Sequence, residues 1–374
     1  MRTLTACALL LFASCGTDPG DASGWGDDLG HGNSLLAPGP DRLALVAATD
    51  FSSGMYAAFD LDAPFGPFGE TGPAHSDVVV RCLPGAPLVV GRLGADNLTL
   101  LDPASLAPVA QTSLGTGANP QDVAAIDDHT VAVSLLGAAH LAFVDVPSFK
   151  VASTLDLSAF ADGDGLPEAG PMLASRGRLL VALELLDRRT PLWDPSGPGR
   201  VVVVDPIARV VTGSIALGSG NPATLVASPV DESVLVACSG KLGVPGDGGI
   251  ERIDPEAGHS LGVLLSGADL GGDPMTMDAD PGSAAVFLTI YTESGGTAVK
   301  RVRLDEDPPR VETLIESADY RFLDAAADDQ GRLWVADRDP EHPGLRVFDA
   351  DTGRELTDGP LDTGLPPFDV CFEQ

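Results

Sequence analysis

The chain has 374 residues, with 44 glycines, 31 prolines and a formal charge of −32 at pH 7. This much glycine and proline argues against a helical protein and fits many short strands joined by tight turns. The acidic balance excludes nucleic acid as a favoured partner and repels anionic lipid headgroups. It favours cations or basic partners, or simply keeps an exported protein soluble, which is the interpretation we prefer.

The first residues have the features of an export signal, with a positive start and a short apolar run over residues 6–13. Small residues at 13 and 14 before Cys15 resemble a bacterial lipobox, although Phe12 replaces the usual aliphatic residue. The apolar run is too short to span a bilayer. The resemblance implies a signal peptide over residues 1–14 and a lipid on Cys15, which would hold the protein at the outer membrane or periplasmic face of the cell envelope. The alternative is an ordinary signal peptide cleaved nearby.

Residues 16–33 are rich in Gly, Asp and Ser and have no period. Such a composition is typical of a flexible tether. We therefore predict a tether over residues 15–40 and a folded domain over residues 41–374.

An apolar residue followed by Asp closes a short β-like run at seven places, with spacings of 42, 43, 60, 49, 51 and 44 residues. The seven pairs are Phe59-Asp60, Leu101-Asp102, Val144-Asp145, Val204-Asp205, Ile253-Asp254, Leu304-Asp305 and Phe348-Asp349. A repeat of about 40 to 50 residues with several strands per unit indicates a propeller. Turn-forming residues follow these aspartates, so we interpret them as turn residues and not as catalytic groups.

One repeat can be divided into all of its strands. The predicted strands are 121–126, 130–136, 140–146 and 151–157, and the same four-strand pattern extends over 75–114 and 221–265. The domain itself begins with a second-strand pattern at 42–48, whereas residues 367–372 resemble the start of a blade at 120–125. We predict an all-β, seven-bladed β-propeller of four-stranded antiparallel blades, in which the C-terminal strand completes the first blade and closes the ring.

The segments Gly115–Pro120 and Gly218–Pro222, each before a first strand, resemble YVTN-type propeller repeats. Residues 91–97 with Asp102, and residues 162–168, are similar to a subgroup of exported bacterial propeller lipoproteins. The resemblance covers residues 41–374. It implies the fold but no particular activity, because propellers serve as enzymes, binders and scaffolds alike.

The longest interval between the repeated aspartates contains an acidic, glycine-containing loop with Asp162, Asp164 and Glu168. Alternating carboxylates with glycines between them let a loop wrap around a hard cation, and the Leu166 carbonyl could add a ligand. We predict a metal site here, with Ca²⁺ as the preferred ion. The alternative is a solvated acidic turn.

Loops that enter the first strands converge near the channel of a propeller, so their polar residues share one face. We predict a polar ligand site there from His75, Asp77, Asn119, Asp122 and Asn221. Arg92, Asp96 and Asn97 are further candidates, but they lie between a second and a third strand and could belong to a different rim. Asn and Asp are also ordinary turn and cap residues.

Three cysteines remain beyond the export signal, and an oxidising compartment allows one disulfide among them. A bridge between Cys82 and Cys371 is conceivable, because both are predicted near the inner strands of adjacent blades. Buried free thiols are the alternative. Cys238 is interpreted as a small buried apolar residue.

The sequence contains no HExxH, GxSxG, Walker A or CxxC motif. The leading hypothesis is therefore a monomeric, non-enzymatic envelope propeller that binds or scaffolds an unknown protein or a small polar ligand. The alternative is a Ca²⁺-dependent, lactonase-like hydrolase. Such an enzyme needs a metal deep in the channel, with ligands from several blades and an adjacent general base.

Overall fold

The computed structural model describes residues 42–244 and 246–373. The predicted lipidation site Cys15, the signal peptide and the tether lie outside these residues. Within them, no helix has the length and hydrophobicity needed to cross a lipid bilayer.

The described chain is almost entirely β-structure. Its first half contains β1 (Leu43–Thr49), β2 (Gly54–Asp60), β3 (Gly72–Ala74), β4 (Val78–Leu83), β5 (Ala86–Gly91), β6 (Asn97–Leu101), β7 (Pro108–Ser113), β8 (Pro120–Asp127), β9 (Thr130–Leu135), β10 (His140–Asp145), β11 (Lys150–Asp156), β12 (Ala169–Ser175), β13 (Arg178–Leu183), β14 (Leu186–Asp187), β15 (Asp194–Pro195), β16 (Arg200–Asp205) and β17 (Val210–Ala216). Its second half contains β18 (Pro222–Ala227), β19 (Val234–Cys238), β20 (Gly249–Asp254), β21 (His259–Ser266), α1 (Gly267–Leu270), β22 (Gly272–Ala279), β23 (Ala285–Thr292), β24 (Thr297–Arg303), β25 (Arg310–Ser317), β26 (Phe322–Ala327), β27 (Arg332–Asp337), β28 (Gly344–Asp349) and β29 (Pro367–Glu373).

The strands form seven antiparallel blades, which confirms the predicted propeller. From the innermost strand outwards, blades 1 to 7 are β29-β1-β2-β3, β4-β5-β6-β7, β8-β9-β10-β11, β12-β13-β16-β17, β18-β19-β20-β21, β22-β23-β24-β25 and β26-β27-β28. Blade 7 has only isolated bridges at the position of a fourth strand, between Phe348 and Glu355 and between Leu345 and Leu361. One buried hydrophobic cluster lies at each of the seven interfaces between neighbouring blades, so the core is distributed around the ring.

The predicted ring closure is also confirmed. β29 pairs antiparallel with β1, with Leu43 opposite Glu373 and Val46 opposite Val370. The last strand is thus the innermost strand of the first blade, and it covers the edge of β1 that would otherwise be unpaired.

The repeated aspartates make turns at the end of the third strand of a blade. In five of the seven, a carboxylate oxygen accepts a backbone N–H three residues further on, at 2.7–2.9 Å. These five are Asp102, Asp145, Asp205, Asp254 and Asp349. The hydrogen bonds favour the carboxylate, so they hold the pKa of Asp102, Asp145 and Asp349 below its usual value.

The 60-residue interval between Asp145 and Asp205 contains two insertions. One is the acidic loop that joins β11 to β12. The other is a small hairpin, β14 and β15, inserted between the second and third strands of blade 4. The sequence identified the first insertion but not the second.

Cys82 and Cys371 form a disulfide with a Cα–Cα separation of 5.6 Å. The bridge joins β4 of blade 2 to β29 of blade 1, so it fastens the closing strand to the next blade. Cys238 is a fully buried free thiol, as predicted.

Candidate functional site

The three carboxylates predicted to bind a metal lie together. The ligand oxygens of Asp162, Asp164 and Glu168 are all within 4.8 Å of one another. Local hydrogen bonds shape the loop, since Oδ1 of Asp162 accepts the Asp164 N–H at 2.9 Å and Oδ1 of Asp164 accepts the Leu166 N–H at 3.1 Å. The Leu166 carbonyl, considered above as a ligand, accepts the Asp162 N–H at 3.1 Å.

Glu168 is the buried member of this group. Its Oε2 accepts the Leu186 N–H at 3.1 Å, whereas no described residue donates a hydrogen bond to its Oε1. Arg188 is the nearby cation, with Nε 3.5 Å from that Oε1 and 3.3 Å from Oδ2 of Asp164. Burial and, next, the charge of Asp164 raise the pKa of Glu168 to about 8.

Glu184 is a buried carboxylate that sequence reasoning missed. It is fully buried, and neither carboxylate oxygen has a hydrogen-bond partner among the described residues. A Cβ at Gly170 would collide with its Oε1, so this glycine makes room for the side chain. Burial raises the pKa of Glu184 well above its ordinary value, and the charge of Glu168 raises it further. The sequence feature that could have indicated this buried carboxylate is its position directly after the five-residue apolar run of β13.

Aspartates of the innermost strands connect neighbouring blades. Each accepts a backbone N–H from the innermost strand of the next blade at 2.7–2.9 Å. The pairs are Asp122 with Met172, Asp278 with Ala327, Asp324 with Val370 and Asp369 with Val80. A bulge in the pairing accompanies Asp122, Asp324 and Asp369, and such a bulge re-aims a side chain.

Arg81 strengthens this inner ring. Its Nε lies 2.6 Å from Oδ1 of Asp122, and its Nη1 lies 3.2 Å from Oδ2 of Asp369. One guanidinium of blade 2 therefore links blades 1 and 3. Both oxygens of Asp122, a predicted ligand-binding residue, are engaged within the ring.

Apolar side chains of several innermost strands form one cluster. Phe368 and Leu323, from the innermost strands of blades 1 and 7, belong to the same cluster as Val79 and Val123 of blades 2 and 3. Met275 of blade 6 and Tyr320 pack against this cluster. The innermost strands of five blades thus contribute apolar side chains to one contiguous group.

Arg92 belongs to the same rim as the loops that enter the first strands. It forms an ion pair with Asp77 at 2.6 Å, and its Nη1 donates to Oε1 of Gln121 at 3.3 Å. Of the two possibilities left open by the sequence, the different rim therefore does not apply to Arg92. Adjacent strands are antiparallel, so a second strand ends at the edge of the blade where the first strand begins.

Three other predicted ligand residues support turns at this rim. Asp96 accepts the Gly117 and Asn119 N–H groups at 2.7 and 2.8 Å. Asn119 and Asn221 adopt left-handed backbone conformations, with φ of 47° and 54°. Asn tolerates this region better than most residues, which explains its use there.

His75 and Asn97 lie elsewhere, in a groove between blades 1 and 2. The groove has a volume of about 480 Å³ and is lined by strands of both blades. Of the predicted ligand residues, these two thus share one concave surface, while Asp77 and Arg92 are paired with each other at the rim.

No protein-family model and no curated protein matches the chain. Solved structures do. A functionally unknown protein from Desulfotomaculum acetoxidans has a TM-score of 0.61 and 14% identity, covering 88% of this chain and 98% of that chain. A putative 6-phosphogluconolactonase from Bacteroides uniformis has a TM-score of 0.62 and 12% identity, covering 89% and 100%. AztD from Citrobacter koseri has a TM-score of 0.55 and 12% identity, covering 88% and 97%. At these identities the similarity supports the propeller fold alone.

Proposed function

We propose that this chain is an exported, lipid-anchored propeller of the YVTN-type lipoprotein group, which binds or scaffolds a partner as a monomer. In this proposal, Ca²⁺ binds to the loop of Asp162, Asp164 and Glu168. The observation that carries it is the convergence of these three carboxylates within 4.8 Å.

The donor set fits a hard divalent cation. Three carboxylates and the guanidinium of Arg188 leave two net negative charges when all are ionised. All three side-chain donors are oxygens, which suits Ca²⁺ better than a metal that prefers thiolate or imidazole. The ion would satisfy Oε1 of Glu168, which lacks a hydrogen bond, while Oε2 of Glu168 already connects this loop to the segment that follows β13 through the Leu186 N–H.

The channel supports a scaffold over a hydrolase. A channel hydrolase needs carboxylates from several blades that are available to a metal. Asp122, Asp278, Asp324 and Asp369 come from several blades, but the only three carboxylates whose oxygens converge within 4.8 Å among the described residues are Asp162, Asp164 and Glu168. By contrast, the converging carboxylates belong to one loop, as expected for a structural ion.

The disulfide between Cys82 and Cys371 supports export. Disulfides persist in oxidising compartments and are rare in the cytosol. This agrees with the lipid anchor proposed at Cys15.

The test of the cation site is thermal unfolding of the purified full-length protein in excess chelator and in Ca²⁺, together with metal analysis. Ca²⁺ at about 100 times its Kd should add about 2.7 kcal/mol of stability. Asp162→Asn and Glu168→Gln should remove this response, whereas Asp128→Asn, at an exposed acidic position, should keep it. An unchanged Tm in chelator with no metal bound on purification contradicts the cation site.

The scaffold and the anchor have their own tests. Ca²⁺-dependent hydrolysis of a lactone panel would favour the hydrolase instead. For the anchor, the wild-type chain should fractionate with membranes and carry a lipid on Cys15 in mass spectra. A Cys15→Ser chain should be released, and its continued membrane association would contradict the anchor.

A further inference from the structure

The groove between blades 1 and 2 exists because the outermost strand of blade 1 is short. β3 has 3 residues, whereas the outermost strands of blades 2 to 6 have 6 to 8 residues. The face of blade 2 that a longer β3 would cover therefore stays open. The resulting cavity of about 480 Å³ falls in the range of small-molecule sites.

No carboxylate, ammonium or guanidinium group lines the groove. None of its 13 lining residues is Asp, Glu, Lys or Arg, although the chain contains 54 acidic and 22 basic residues. An ionic ligand would give up hydration without gaining a counter-charge. The lining therefore favours a neutral ligand.

Four side chains supply hydrogen-bonding groups. Gln111 Nε2 donates to Oγ1 of Thr99 at 2.9 Å, which leaves the Thr99 hydroxyl proton as a donor and Oε1 of Gln111 as an acceptor. The Asp77 N–H donates to Nδ1 of His75 at 3.2 Å, so neutral His75 carries its proton on Nε2. The amide of Asn97 provides both a donor and an acceptor.

The shape of the groove floor depends on a glycine. A Cβ at Gly91 would lie 2.8 Å from Oδ1 of Asn97 and would fill the space beside it. Val89 and Val109 add apolar surface next to these polar groups. The groove thus presents mixed donors, acceptors and apolar surface on the face of a sheet.

We propose that this groove binds a neutral saccharide. Hydroxyl groups act as donor and acceptor at once, and they match the mixed set of Asn97, Thr99 and Gln111. Consecutive residues of the outermost strands β3 and β7 also line the groove, so an extended peptide that pairs with a strand edge is the competing occupant, and the experiment below tests it. The inference rests on the binding role proposed above, but the groove is remote from the cation loop between blades 3 and 4.

The experiment uses the full-length protein and a panel of neutral mono- and disaccharides of glucose, galactose, mannose and N-acetylglucosamine. Saturation-transfer NMR and calorimetry should detect at least one member that binds at millimolar concentration or tighter, and galacturonic acid should bind more weakly than galactose. The double variant Asn97→Ala/Gln111→Ala should weaken binding at least tenfold. Thr112→Ala, at the neighbouring position on the opposite face of β7, should leave it unchanged.

Three outcomes would overturn the inference. They are no binding across the panel, binding unaffected by the double variant, and preferential binding of an uncharged peptide. The Ca²⁺ dependence of Tm is recorded on the same samples. If the wild-type protein binds no saccharide but keeps its Ca²⁺ response, the groove proposal alone is contradicted, whereas saccharide binding without a Ca²⁺ response contradicts the cation site alone.

Discussion

The carboxylate of Asp369 in the last strand accepts the N–H of Val80 in blade 2 at 2.7 Å, while Arg81 lies 3.2 Å from the same oxygen. The final strand therefore closes blade 1 and also holds the next blade through a buried ion pair. Ring closure in this chain depends on side-chain contacts of β29 as well as on its backbone pairing with β1.

Asp369→Ala should strongly destabilise the propeller. The change leaves the Val80 N–H unpaired and weakens the neutralisation of a buried Arg81, a kind of loss that costs about 3–5 kcal/mol. Urea unfolding should detect it as a lower midpoint. Asp369→Asn, which can still accept the N–H, should cost less, and exposed Asp128→Ala should cost almost nothing. Equal midpoints for wild type and Asp369→Ala would show that the contact has no role in closure.

Removal of the last ten residues, which include all of β29, should open the ring. The innermost strand of blade 1 is lost, and the edge of β1 and the apolar cluster between blades 7 and 1 become exposed. The truncated chain should be aggregated or should lose its cooperative transition in thermal unfolding followed by circular dichroism. A monomeric, cooperatively folding truncation would contradict the closure model.

Reduction of the disulfide between Cys82 and Cys371 should lower stability by about 2–5 kcal/mol, because the bridge restricts the unfolded chain over a separation of 289 residues. The measurement is Tm with and without a reducing agent. In the Cys82→Ala/Cys371→Ala variant the agent should have no effect, whereas Cys238→Ala should respond like wild type. A response that survives in the double variant would assign the effect to another cause.

Much of this architecture was predictable because its signals are local. An Asp followed by turn-forming residues creates its own hydrogen bonds, as at Asp102, so the blade count could be obtained from spacing alone. The contacts between Asp369 and Val80 and between Arg81 and Asp122 join residues far apart in sequence. Such contacts depend on how adjacent blades meet, which no local pattern specifies.

The candidate site was predictable to a similar extent. Asp162, Asp164 and Glu168 lie within one loop, so their convergence followed from sequence. The environment of Glu184 did not follow from sequence, because it depends on Gly170 of the neighbouring strand, where a Cβ would collide with the carboxylate. The groove around Asn97 was also not predictable from sequence, because it results from the short outermost strand β3 of blade 1.

Asp278→Asn should stabilise the protein in a pH-dependent manner. Burial, and the nearby charges of Asp324 and Asp280, raise the pKa of Asp278 well above its ordinary value in the folded state. Because the pKa of this carboxyl is higher in the folded than in the unfolded state, the free energy of unfolding falls as pH rises from about 4, the unfolded pKa, towards the folded pKa. The asparagine should therefore match wild type near pH 3 and gain about 1 kcal/mol or more at pH 7, since it can still accept the Ala327 N–H. Denaturant unfolding at several pH values checks this, and a gain that is constant with pH would contradict it.

The Glu184→Gln variant tests whether the buried carboxylates are coupled to cation binding. The side chain has no hydrogen-bond partner among the described residues, and burial raises its pKa, so a neutral amide should remove the cost of keeping this carboxyl protonated in the cation-free protein. A nearby bound cation favours the ionised form of Glu184, and the amide cannot supply that charge. The variant should therefore have a higher Tm than wild type in chelator and a smaller Ca²⁺-induced increase, with Ca²⁺ affinity reduced a few-fold in calorimetry. Asp128→Asn serves again as the control for an exposed acidic group. A variant that gains stability in chelator but keeps the full Ca²⁺ increase would show that Glu184 and the cation loop act independently, because coupled charges must alter both quantities together.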